Sequence, residues 1–161
     1  MHPAMPWRAI VAGFIATLIM TVVIYLAPVM GLPKLDIAGM LGSGMTGIMP
    51  APGSGVWWTG MIIHFVLGSV VFALIYAYWL YPVLPNGNWL RGAIWGTILW
   101  FLMQAIVMPM MGSGIFSGNE PDEGMIGLAT LIVHWIYGVI LGTIAGVQAT
   151  REPFHRQERH A

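Results

Sequence analysis

Four long apolar stretches, separated by short polar segments, organise this chain: approximately Trp7 to Met30, Val56 to Leu80, Trp89 to Met111 and Met125 to Val147. Each reaches the roughly 20 residues that carry a helix across a hydrocarbon core about 30 Å thick. None holds Asp, Glu, Lys or Arg in its middle. Lipid offers backbone N–H and C=O groups no partner, so such stretches predict helices that bond internally. The strands of a β-barrel would be shorter and would alternate. The pattern therefore predicts an all-α integral membrane protein, a four-transmembrane-helix bundle. The first stretch is longer than the apolar core of a signal peptide and no A-x-A-like site follows it, so it reads as a retained helix.

Composition agrees with the pattern and narrows the chemistry. Of 161 residues, 58% are hydrophobic and 7% charged, against about 25% charged in a typical soluble domain. There is no cysteine, so disulfides, thiolate metal sites and iron–sulfur clusters held by the chain are excluded. The formal net charge is zero and no basic patch marks a nucleic-acid partner. Arg8, Arg91, Arg151, Arg156 and Arg159 fall on one side of the predicted topology, with Lys34, Asp36, Glu120, Asp122 and Glu123 on the other. By the Lys/Arg bias, both termini are expected in the cytoplasm of a bacterial inner membrane and the two longer loops outside. Residues 1–150 read as a single transmembrane domain and 151–161 as a polar cytoplasmic tail.

The chain repeats itself. "PWRAIVAG" from Pro6 is matched by "NWLRGAIWG" from Asn88, and "PVMG" from Pro28 by "PMMG" from Pro109. "IIHFVLG" around His64 is matched by "IVHWIYG" around His134. The halves, about 7–80 and 89–147, are thus two helical hairpins of like orientation, and any pseudo-two-fold axis between them runs along the membrane normal. In an up-down-up-down bundle the second and fourth spans take diagonal corners.

That symmetry makes His64 and His134 mates, each expected roughly 12–14 Å below the outer face. Thr21 and Gln104 are equivalents when the repeats are aligned from Arg8 and Arg91, and they fall at a similar level. An ionisable residue inside a membrane is a functional candidate, although interhelical hydrogen bonds alone account for many such groups. Diagonal axes about 13 Å apart are too distant for two imidazoles to share a bare ion. A flat macrocycle between them suits the spacing, and haem b with His64 and His134 as axial ligands is the expectation. Thr21 and Gln104 would orient the imidazoles or the haem edge. Gly68 and Gly138, each four residues after a histidine, would leave room for the porphyrin face, or would let helices pack closely.

The resulting expectation is a small b-type cytochrome or haem-binding electron-transfer subunit, not an enzyme by itself. Its partners would be a quinol or periplasmic electron carrier, or a larger respiratory or redox complex. Two alternatives stand beside it. One is a cofactor-free accessory or assembly subunit. The other is a copper-handling protein, because Met30, Met40, Met45, Met49, Met61, Met108, Met110, Met111 and Met125 gather in the outer half, and thioethers with imidazole suit Cu(I). The acidic run "GNEPDEG" reads as a solvated turn. "LDIAGMLGS" predicts a short interfacial helix starting after Asp36 that caps the histidine layer.

At "APVMGLPKLDIAGMLGS", "HFVLG" and "LRGAIWG…MPMMGSGIFSG" the chain resembles a family of small, uncharacterised four-span bacterial membrane proteins. The resemblance runs from about Arg8 to Val147. It implies the four-helix topology and an inner-membrane location, and no activity.

Overall fold

The structure, a computed structural model, describes residues 5–85 and 87–146. The tail expected at 151–161 and the end of the fourth predicted span, Val147, lie outside them. Four helices are long and apolar enough to cross a membrane: α1 (Pro6–Met30), α3 (Gly55–Leu80), α4 (Asn88–Met110) and α5 (Glu123–Ala145). Their bounds match the predicted runs to within about two residues, because the run length that lipid demands is itself the signal. Between α1 and α3 lies the short helix α2 (Ile37–Thr46), begun as expected by Asp36, whose carboxylate accepts the Gly39 N–H at 3.0 Å.

Small residues decide which helices meet. Gly92 and Gly96 of α4 face Gly138 and Gly142 of α5 so closely that a Cβ on Gly138 would overlap the Gly92 carbonyl. With no hydrophobic force between helices in lipid, such backbone approach supplies the packing. Ala9, Ala12 and Ala16 on α1 and Ala73 and Ala77 on α3, all buried, join the core that also holds Tyr137, Leu141 and Ala145 of α5. Helix α1 packs on α3 and on α5, and α5 on α4, whereas α3 and α4 approach chiefly near Tyr76–Leu80. The diagonal placement of α3 and α5 follows from this order. The gap between α3 and α4 at the other end is roofed by α2, which lies on α3 with the Ala38 carbonyl over Gly60.

Two of the long helices are not regular. Wide turns closed by i→i+5 bonds occur at Leu67–Val71 and Tyr76–Leu80 in α3 and at Met103–Val107 in α4. Such turns bulge the helix and recur at functional sites. Nothing in the apolar pattern predicts them.

Candidate functional site

The end of the bundle under α2 encloses a cavity of about 160 Å³. It brings His64 and His134 into one space, with Met20 and Ile24 from α1, Met40 and Leu41 from α2, Met103 and Val107 from α4, and Tyr137 from α5. Aligned as the repeats are, Met20 matches Met103, Ile24 matches Val107, Leu67 matches Tyr137 and His64 matches His134. All eight line the cavity, which therefore sits where the pseudo-two-fold axis would run. Both wide turns nearest the histidines supply wall residues: Leu67 and Gly68 on one side, Met103 and Val107 on the other. Leu102 lines the cavity yet is 41% exposed on the flank of α4, so the space opens sideways between α3 and α4.

Each imidazole has one nitrogen committed. His64 Nε2 lies 3.0 Å from Thr21 Oγ1, and that hydroxyl also lies 2.7 Å from the Thr17 carbonyl. With the hydroxyl proton on the shorter bond, the imidazole Nε2–H donates to Thr21 and Nδ1 carries the lone pair. His134 Nδ1–H donates to the Thr130 carbonyl of its own helix at 2.7 Å, which leaves Nε2 as the lone pair. Two imidazoles, each with one nitrogen beyond these bonds, thus line an otherwise apolar chamber. Its best complement is a group that donates a proton or accepts a lone pair.

Gln104 is fully buried, and its amide is spent away from both imidazoles. Its Nε2 donates to Thr130 Oγ1 at 3.2 Å and its Oε1 accepts from Ser117 Oγ at 3.0 Å. Ser117 reaches into the bundle because Phe116 and Ser117 both adopt left-handed backbone, at φ 53° and 61°, strain that is held where surrounding contacts fix it. Sequence reasoning missed Ser117, Thr130 and Tyr137. The last two lie four residues before and three after His134, on the same helical face, and that spacing could have found them.

The cavity as it stands is small beside a macrocycle. A cavity near 150 Å³ accommodates a benzene-sized molecule, and a tetrapyrrole is several such rings in one plane. Tyr137 also donates its hydroxyl to the Gly68 carbonyl at 2.6 Å, tying α5 to α3. Gly68 and Gly138 serve close packing: a Cβ on Gly68 would meet the Thr17 side chain, and one on Gly138 the backbone of Gly92. Among the described residues no three His, Asp or Glu side chains converge as a metal-ligand group, so the acidic turn with Glu120, Asp122 and Glu123 brings together no such set.

Asp36 makes the other polar cluster. Besides capping α2 it accepts Trp57 Nε1–H from α3 at 2.8 Å and the Tyr25 hydroxyl from α1 at 2.9 Å. One carboxylate thereby pins the cavity roof to two spans.

Neither a curated protein nor a solved structure matches the chain. Over residues 3–156 the chain matches the model of DUF6789, a family of unknown function, and it belongs to that family.

Proposed function

We propose that this protein binds the hydroxylated ring of a small lipid-soluble compound, a hydroquinone or phenol head, between His64 and His134. The observation that carries the reading is the benzene-scale apolar cavity that presents two acceptor imidazoles and opens toward lipid beside Leu102. A ring of that size fills the chamber, its hydroxyls donate to the uncommitted nitrogens, and any apolar tail leaves through the lateral opening. Following the arginine distribution, the site lies in the outer leaflet of a bacterial inner membrane, with both termini cytoplasmic. The electron-carrier partner expected from the sequence survives in this reading as the ligand itself, a quinol.

Purified protein in lipid nanodiscs, titrated anaerobically with a short-tailed benzoquinol, should bind one ring per chain. His64→Ala and His134→Ala should each weaken binding about fivefold, the worth of one hydrogen bond near 1 kcal/mol. Val133→Phe, which fills the cavity from α5, should abolish it. The oxidised benzoquinone offers only carbonyls and should bind more weakly. Absence of saturable binding, or three variants that bind like the parent, would overturn the reading. The same preparation should show no haem absorption band, and a band that shifts in either histidine variant would restore the macrocycle in its place.

A further inference from the structure

The buried interior divides into two clusters of different chemistry. The main core is built from Ala, Val, Ile, Leu, Tyr and Trp, with Met20 its one methionine. A second, smaller cluster holds Met40 of α2 and Met108 of α4, buried with Ile126 of α5, and Met103 and Met111 pack against them beside Leu35. Four of the chain's 13 methionines thus meet in one place, directly under α2. Met108 is 1% exposed.

The wide turn in α4 is what assembles them. In a regular helix, at about 100° per residue, Met103 and Met108 would point about 140° apart. The Met103–Val107 turn instead closes with the Met108 N–H on the Met103 carbonyl, and this i→i+5 register stacks the two residues on one face. Met111 follows Met108 by three, again on that face, and its N–H bonds the Met108 carbonyl. A helix that served only to fill space with flexible side chains has no need of this break in its hydrogen bonding. Met40 comes from α2, so the methionine side chains of this cluster are supplied by two separate elements.

We infer that Met40, Met103, Met108 and Met111 form a thioether site for a soft monovalent cation, Cu(I). Thioether sulfur selects Cu(I) over the harder divalent ions, and no carboxylate or imidazole is among these four ligands. The site lies on the loop side of the histidine cavity and shares Met40 and Met103 with its wall, while Met108 and Met111 stand outside that wall. It is independent of the ring-binding reading, and the two can be tested apart.

Full-length protein in detergent micelles, titrated with Cu(I) kept reduced by ascorbate and with Ag(I) as a redox-inert surrogate, should retain one ion per chain against a competing chelator. Excess Zn(II) should not displace it. The Met108→Leu/Met111→Leu double variant conserves side-chain volume; it should lose at least tenfold in affinity while its helicity and its benzoquinol binding stay at the parent level. Met45→Leu/Met49→Leu, which alters methionines outside the cluster, should bind as the parent does. Equal retention by the Met108/Met111 variant and the parent would overturn the site, as would no retention by the parent. A tenfold loss in His64→Ala/His134→Ala would also overturn it, by moving the ion into the histidine cavity.

Discussion

The two hairpins of this bundle descend from one pattern and are held together by different means. In the second, α4 and α5 touch backbone to backbone through Gly92, Gly96, Gly138 and Gly142. In the first, one glycine, Gly13 of α1, comes close to the Gly68 and Ser69 carbonyls of α3, the Thr17 side chain lies against Gly68 one turn on, and α2 is inserted in the connection. The histidines follow the same division: His64 leans on a hydroxyl of the neighbouring helix, His134 on a carbonyl of its own. A repeat thus fixes the position of a residue along its helix, and the local neighbours fix what that residue can do. The cavity lies between the hairpins, where α3 and α4 part, and α2 from the first hairpin roofs it.

Substituting the equivalent glycines is the strongest way to break this comparison. An alanine methyl at Gly138 meets the Gly92 carbonyl and the Gly96 nitrogen, neither of which can turn aside. Gly138→Ala should cost about 3 kcal/mol, the upper range for overpacking, measured by denaturant unfolding in micelles. At Gly68 the methyl meets Thr17, whose side chain can rotate at the expense of its 2.7 Å bond to the Gly13 carbonyl. Gly68→Ala should therefore cost about 1 kcal/mol, and adding Thr17→Ala should recover most of it. Equal losses at the two glycines would show that the hairpins pack alike.

Removing the pin of the roof comes next in size. Asp36→Ala takes away the cap of α2 and the acceptor for Trp57 and Tyr25 together. A lost cap is worth about 1 kcal/mol, and a hydrogen bond to a charged group about 1.5–3 kcal/mol, less at the exposed Tyr25 contact. A loss of about 2.5 kcal/mol is expected, the cap plus the lower end for the Trp57 bond, accompanied by faster hydrogen exchange in α2 and no change in α4 or α5. Uniform exchange throughout the bundle would mean that α2 is part of the core instead of a cover on it.

The features that were legible in the sequence are those that depend on distance along the chain. Run length gave the four spans, Asp36 before an apolar segment gave α2, and the repeat placed both histidines at the cavity. What depends on distance between helices was hidden. The spacing expected for a square bundle says nothing of the bond by which the Tyr137 hydroxyl reaches across to the Gly68 carbonyl. The wide turns that carry Leu67 and Met103 to the cavity wall are exchanges of one backbone register for another, set by neighbours and not by apolar period. Gln104 had the right depth, yet Ser117 and Thr130 take both ends of its amide. Its partner Ser117 sits in a loop whose left-handed backbone no glycine announces.

The smallest expected effect is the sharpest on the histidines. Thr21→Val removes the hydroxyl beside His64 Nε2 at nearly constant volume and leaves the Thr130 contact of His134 intact. Interhelical side-chain bonds in membranes average about 0.6 kcal/mol, so stability should fall by about that much. The consequence for the site is larger than the consequence for the fold, because the freed His64 ring can change tautomer and turn its N–H toward the cavity. Benzoquinol binding should weaken in Thr21→Val while binding of the oxidised ring, whose carbonyls accept, should strengthen relative to the parent. Nitrogen chemical shifts of the two imidazoles should move at His64 alone. A matching change at His134 would mean that the two rings are held as a symmetric pair, and the asymmetry between the hairpins would then stop short of the site.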